Sequence, residues 1–336
     1  MKFHKGTYLF SLILLVLCTF VFASQASAQS LDLPSIDMGM PLNIEIIPET
    51  PGPNSTVTAV VKYSGIDSDR TTFSWSINGT LKKSGVGEVS FSFKTGDVGK
   101  SVSLKVSAKT PNGQIIEKII TIIPSSVDLV YEAQSYIPPF YKGKPLFSNQ
   151  GVLRIIAIPN IVVNGKAVDS KKLVYTWKSD GQILSDSSGY GKNVMIFNGG
   201  VPWKSTEITV MVQTIDQKIS AENTLILNPI QPKIVVYEDN PVYGILFNKA
   251  ILDGFTTSKT ELSFVAEPYF FSTQNSGLNL SYSWRMNDQS LSISKKSVTI
   301  TNKNNLSGMA EVGIKITNSS KIFQYAQTSS AIEFVK

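Results

Sequence analysis

Three tryptophans set the period of this chain. Phe73-Ser74-Trp75, Tyr175-Thr176-Trp177 and Tyr282-Ser283-Trp284 repeat one aromatic-x-Trp signature at separations of 102 and 107 residues (177−75 and 284−177). That interval is the length of a small domain, so the repeat governs how every shorter pattern is read. Each signature lies in an alternating apolar and polar stretch and runs into a turn, at Asn78-Gly79, Asp180-Gly181 and Asn287-Asp288. Further along, Ser84-Gly85-Val86-Gly87 parallels Ser188-Gly189-Tyr190-Gly191, and each leads to an apolar strand, expected at 89–93 and 194–197. Long alternating strands are expected at 102–106, 208–212 and 312–316, and closing strands at 115–123, 221–227 and 331–335. Alternation with a period of two, frequent turn signals and scarce helical periodicity predict antiparallel sandwiches.

The second and third repeats also align ahead of the tryptophan. Val130-Tyr131-Glu132 matches Val236-Tyr237-Glu238, and Leu153-Arg154-Ile155-Ile156-Ala157-Ile158-Pro159 matches Leu262-Ser263-Phe264-Val265-Ala266-Glu267-Pro268. The first repeat is shorter at its front. Pro124-Ser125-Ser126 and Asn228-Pro229-Ile230-Gln231-Pro232 separate the repeats, and links this short and proline-bearing are semi-rigid. The expected organisation is an address segment at 1–28, a leader at 29–41, and β-sandwich domains at 42–124, 125–230 and 231–336.

The address segment has three parts. Lys2, His4 and Lys5 are basic, residues 8–23 form an apolar run of 16, and Ala26-Ser27-Ala28 is the small-x-small pattern of a cleavage site. This is the layout of a secretory signal peptide, with cleavage expected before Gln29. The run is shorter than the roughly 20 residues a spanning helix needs, and an uncleaved N-terminal membrane anchor is the alternative. Leu17 stands where a lipoprotein signal carries a small residue, so Cys18 is read as part of the discarded peptide. No tail, sorting signal or anchor is expected after the last strand. The expected location is outside the cytoplasm: extracellular, cell-surface or periplasmic.

Cleavage changes which chemistry is open. Cys18 and His4 are the only cysteine and histidine, so the expected mature chain of 308 residues (336−28) has neither. That excludes a thiol nucleophile, a Ser-His-Asp triad and His or Cys zinc ligation. Net charge falls from +6 to +4 with the loss of Lys2 and Lys5. So modest a balance, spread along the chain, lacks the clustered footprint of a nucleic-acid binder.

The aromatic-x-Trp signature, polar turn, Gly-x-Gly loop and late alternating strand resemble PKD-type and related bacterial Ig-like domains. The resemblance covers nearly the whole mature chain, although a typical PKD domain continues from tryptophan into a Gly-Asp-Gly type turn. Here the text is Ser76-Ile77-Asn78-Gly79, Lys178-Ser179-Asp180-Gly181 and Arg285-Met286-Asn287-Asp288. The antibody cysteine pair is absent as well. What the resemblance implies is surface-exposed, non-catalytic spacer or adhesion work.

Candidate sites are few. Trp75, Trp177 and Trp284 are expected to fill the space between sheets. Trp203, outside the repeat after Gly199-Gly200-Val201-Pro202, either stacks on a sugar or caps a sandwich end. Two apolar loops follow equivalent prolines: Ile161-Val162-Val163 after Pro159, and Tyr269-Phe270-Phe271 after Pro268. Tyr136-Ile137-Pro138-Pro139-Phe140-Tyr141 and Pro241-Val242-Tyr243 occupy matching earlier positions. Such loops bind partners or pack against the adjacent domain. Ser292-Ile293-Ser294-Lys295 has a Ser-x-x-Lys spacing, but reads as a strand and lacks the helix that motif needs. Gly189-Tyr190-Gly191-Lys192 reads as a hairpin turn rather than a phosphate loop. Asp67-Ser68-Asp69 is either a calcium ligand set or, as preferred, a solvated loop. Five sequons (Asn54, Asn78, Asn279, Asn305 and Asn318) act only in a host that uses them. The expected activity is non-enzymatic, with no cofactor and with a cell-envelope protein or surface glycan as partner. A carbohydrate-binding surface protein is the alternative.

Overall fold

The computed structural model describes residues 42–62, 66–200, 204–251, 253–273 and 278–336. The address segment, the leader and Trp203 lie outside the described residues. Residues 42–336 form one compact unit. Among the described residues, no helix is long and apolar enough to cross a membrane.

Three tandem Ig-like sandwiches make up this unit, and seven strands recur in each. In the first module they are Asn43–Ile47, Thr56–Lys62, Thr72–Ile77, Thr80–Val86, Ser90–Lys94, Val102–Lys109 and Ile115–Ile122. In the second they are Ser126–Ala133, Val152–Asn160, Val174–Ser179, Gln182–Ile183, Val194–Asn198, Thr206–Gln213 and Ser220–Leu227. The third has Lys233–Asn240, Glu261–Tyr269, Leu280–Met286, Gln289–Ser290, Ser297–Thr301, Gly308–Asn318 and Lys321–Phe334. In every module the first, second and fifth strands share one sheet, while the fourth, third, sixth and seventh form the other in that order. This pairing, rather than sequence likeness, is what makes the modules Ig-like. All these pairings are antiparallel.

Alternation explains the strands. In the sixth strand of module one, Val102, Leu104, Val106 and Ala108 are buried while Ser103, Lys105 and Ser107 face outward. Each module closes over its own apolar cluster, centred on Trp75, Trp177 and Trp284. The three indoles are at most 1% exposed. Each donates its Nε1–H to a carbonyl ahead of the fifth strand: Glu88 at 2.8 Å, Lys192 at 2.9 Å and Lys295 at 2.9 Å. A buried indole needs such an acceptor.

The turn after each tryptophan is locked in the same way three times. Asn78, Asp180 and Asn287 take left-handed backbone angles, φ 49°, 47° and 46°. Their side chains accept the backbone N–H of Ser103, Glu207 and Glu311, each at 2.9 Å. Their own N–H groups donate back to the same three residues. A short polar side chain that tolerates this φ and reaches the sixth strand explains Asn or Asp here. In Asp180, hydrogen bonds from Lys204 and from Glu207 N–H hold the carboxyl below its usual range.

Because neighbouring strands are antiparallel, each sandwich has two ends. The leading end holds the connections between strands two and three, four and five, and six and seven. The trailing end holds those between one and two, three and four, and five and six.

Two sequence expectations change here. The 292–295 segment is an irregular connection, not a strand, and its Lys295 carbonyl is occupied by Trp284. The last strand starts ten residues earlier than expected, at Lys321 instead of 331. Gln324, Tyr325, Ala326 and Gln327 form a weak strand pattern, and their extended conformation is imposed by pairing with the sixth strand.

Candidate functional site

The two module junctions are where the structure brings the sequence-derived candidates together. At the first, the linker is pinned from both sides. Gly99 N–H donates to Pro124 O at 2.9 Å, and Ser125 N–H donates to Pro51 O at 3.3 Å. Ser125 Oγ–H donates to Ser220 O at 2.5 Å, crossing into the second module. Ile123 packs against the second module's core. Gly99 has φ +73°, and a Cβ there would lie 2.7 Å from Val162 Cβ. Only glycine permits that backbone angle and that approach together.

This places the first apolar loop. Ile161 is 1% exposed and belongs to the second module's interior. Val162 leans on Gly99 of the module before it, and Val163 is exposed. Val162–Val163 pairs with Lys166–Ala167 as a small hairpin at the leading end. For Ile161 and Val162, the role of external anchor gives way to core packing and intramolecular docking.

The second junction is built from side chains. Tyr269, Phe270 and Phe271 are 7%, 5% and 0% exposed, so they are not a free partner surface. Phe271 joins the third module's core. The loop meets Tyr136 through paired backbone bonds of 2.7 Å each, Tyr136 N–H to Phe271 O and Phe270 N–H to Tyr136 O. Residues 134–151 of module two, the connection between its first two strands, reach over module three as an arm. Phe140 stacks on Phe247 at 4.0 Å and meets Tyr237 edge-on at 5.9 Å. Tyr141 meets Tyr269 and Phe270 edge-on at 5.6 Å and 5.8 Å. These separations fit the favoured aromatic geometries.

Beside the aromatics lies a buried polar hub. Gln324 is fully buried. Its Nε2 donates to Asn149 O at 2.8 Å and to Ser148 Oγ at 3.2 Å, both across the junction. Its Oε1 accepts Ser272 N–H at 2.9 Å and Asn318 Nδ2–H at 3.0 Å on its own side. Both halves of the amide are thereby matched, as a buried amide requires. Lys321 Nζ–H donates to Gln150 O at 2.6 Å, and burial lowers the pKa of its ammonium. Asn149 Nδ2–H donates to Gln231 Oε1 at 2.8 Å, which ties in the linker. The sequon residue Asn318 is thus buried in the network.

Acid–base character at this junction follows from burial. Tyr269 is pushed above the usual phenol range by burial and by its 3.0 Å hydrogen bond with Tyr237. Burial, then the Glu267 carboxylate, raises Tyr136. Glu267 itself pairs with Lys296 at 2.6 Å.

Other candidates have local duties. Asp67 caps a short 3-10 turn, Ser68–Arg70, by accepting Asp69 N–H at 3.2 Å. Asp169 caps Ser170–Lys172 at the corresponding place in module two. Among the described residues, no group of three or more His, Cys, Asp or Glu could hold a metal ion. Gly189–Tyr190 pairs with Tyr175 and Val174 as a short strand ahead of the Lys192 carbonyl.

The residues that sequence reasoning missed are Gln324, Ser148 and Asn149. Polar side chains in weak strand or loop text carry no local signal of burial. A signal was available only at Gly99, whose position in the loop before the sixth strand invited a close-approach reading.

Comparisons with known proteins add little. No family model matches the chain, and no curated protein matches it. Among solved structures, it resembles the three N-terminal domains of the highly immunogenic outer capsid protein of bacteriophage RB49. That match has 12% identity over 88% of this chain and 100% of that one, with a TM-score of 0.27. The central fibronectin-III array of RIM-binding protein matches at 11% identity over 88% and 97%, with a TM-score of 0.29. Bacteroides ovatus SGBP-B, solved with a mixed-linkage heptasaccharide, matches at 12% identity over 84% and 64%, with a TM-score of 0.21. At identities this low and TM-scores below 0.5, the Ig-like assignment rests on strand pairing alone.

Proposed function

We propose that this chain is an exported, non-catalytic structural or adhesion component of a cell surface, with sandwiches of the PKD-type variety. The observation that carries this reading is the second junction. Two modules are joined there by a buried glutamine whose amide is bonded on both sides and by an aromatic arm, which hold them in one fixed relation. A connection of this quality suits a protein whose task is to hold or present surfaces at set positions, since loosely linked modules move relative to each other by default. Export follows from the basic, apolar and small-x-small sequence of the first 28 residues.

The test is a cross-linking recovery from intact host cells, using protein tagged at Lys336. Envelope proteins recovered in fixed ratio support a structural component, and recovery from the cytoplasmic fraction alone refutes the export reading. Hydrolytic activity of the purified chain, abolished by a single carboxylate substitution, would refute the non-catalytic reading.

A further inference from the structure

The last strand of module three, Lys321–Phe334, pairs with the sixth strand on one side only for most of its length. Its odd-numbered residues turn their N–H and C=O groups to the other side. Three contacts fix that direction. Tyr325 O accepts Gln231 Nε2–H, Ala331 N–H donates to Asp253 Oδ1 at 3.1 Å, and Ala331 O accepts Gly254 N–H at 3.2 Å. Beyond Ala331, the short strand Phe255–Thr257 lies on this same edge and pairs in parallel with Ile332–Phe334. Main-chain direction alternates along a strand, so Gln327 and Ser329 present their N–H and C=O groups to the stretch in between. Among the described residues, no backbone partner meets them there.

A groove opens along this stretch. Tyr325, Ala326, Gln327 and Thr328 line one side of it, and Lys233 and Ile234 of the first strand line the other. Module two shows the same place closed. There Asn223 Nδ2–H donates from the last strand to Val127 O of the first at 2.7 Å. The sheet registers identify the equivalents in module three. Trp177 lies opposite Val210 and Val210 opposite Asn223, as Trp284 lies opposite Ile314 and Ile314 opposite Thr328. Val127 lies opposite Pro159, as Ile234 lies opposite Pro268. A threonine side chain is shorter than an asparagine amide, and Thr328 leaves the groove open.

The rim is basic. Lys315 lies directly beside Gln327 in the sheet, and the Arg285 side chain lies over Gly313, the neighbour of Ser329. Lys233 lines the groove itself. Among the described residues, none of these three cations forms an ion pair.

We propose that this edge takes up an extended, acidic segment of a partner protein, which adds to the last strand as one more β-strand. An unpaired edge offers a row of main-chain donors and acceptors that another extended backbone matches in series. The Phe255–Thr257 strand already uses the adjoining part of the edge in this way. Carboxylates on the segment complement Lys233, Lys315 and Arg285. The inference goes beyond the surface-component reading and does not depend on where the chain acts.

The test uses the full chain and a short probe, an N-acetylated, C-amidated peptide alternating glutamate and valine. Amide hydrogen exchange is followed at Gln327 and Ser329, whose N–H groups face the groove. Both are expected to exchange quickly in the free protein, and saturating peptide should slow them at least about tenfold. A peptide with lysine in place of glutamate should give no such protection. Thr328→Asn restores the clasp of module two and should abolish the protection with an unchanged circular dichroism spectrum, whereas Thr328→Ser should keep it. Amides already slow in the free protein would mean that this chain fills the edge itself, and would overturn the proposal. So would a glutamate peptide that leaves both amides fast, or equal protection by the lysine peptide or in Thr328→Asn.

Discussion

The two junctions solve one problem by different means. At the first, three backbone groups and a serine hydroxyl pin the linker, and a glycine lets a valine approach. At the second, the contact is carried by side chains, with Gln324 bonded to four partners and Phe140 and Tyr141 laid over aromatic rings. Backbone contacts depend on chain path, so many sequences satisfy them. A buried side-chain network depends on each member, and a partly satisfied one is costly. The second junction is therefore the more specific of the two and the more vulnerable to substitution.

The largest expected effect is at Phe271. Phe271→Ala empties a fully buried site in the third module's core and should cost about 3–5 kcal/mol in denaturant unfolding. A cost below about 1 kcal/mol would mean the site collapses without loss, outside the range for buried phenylalanine. Gln324→Ala comes next. It removes the buried acceptor of Ser272 N–H and Asn318 Nδ2–H and the donor that crosses the junction to Asn149 O, and should cost about 2–3 kcal/mol. Hydrogen exchange should then quicken at Ser272 while the first junction is unchanged; uniform protection at both would mean that the second junction does not depend on its side-chain network.

At the first junction, Gly99→Ala should cost about 1–2 kcal/mol for the left-handed backbone, with the displacement of Val162 added. If it proves neutral, the glycine approach is not what seats module two.

A graded effect separates the junctions at high pH. Tyr269 and Tyr136 have raised pKa values in the folded chain and ionise more easily when unfolded. Their contribution is therefore complete below about pH 10, the unfolded value, and is lost as pH rises through the folded values. Tyr175, pushed up to about 12 by burial and Asp169, responds in the same window from the second module's interior. Comparing denaturant midpoints of native protein and Tyr269→Phe from pH 8 to about 11 isolates the junction, and the variant should lose less.

The smallest effect is at Ser272, whose buried hydroxyl has no hydrogen-bond partner. Ser272→Ala should be within about 0.5 kcal/mol of neutral or stabilising, because it removes an unsatisfied group. A loss beyond about 1 kcal/mol would show that this hydroxyl is bonded after all.

Much of the fold was legible because its rules are local. Aromatic-x-Trp, the Asn or Asp turn and the Gly-x-Gly loop map onto an indole, a left-handed turn residue and a carbonyl acceptor that touch within one module. The post-proline loops were legible as apolar, but their destination was not. Ile161 went to a core, Val162 to the preceding module, and Tyr269, Phe270 and Phe271 to the second junction. Nothing in an apolar loop distinguishes a partner on another molecule from one 131 residues away in the same chain, the separation of Tyr136 and Glu267.

By itself, then, the sequence determined the module, its number and the residues that close each sandwich, since alternation and turn chemistry act over a few residues. The tertiary structure alone decided which ends meet and that a glutamine in weak strand text becomes a buried hub. Those outcomes depend on pairs such as Gln324 with Asn149, 175 residues apart, whose hydrogen bonds form only once the sandwiches have folded and met.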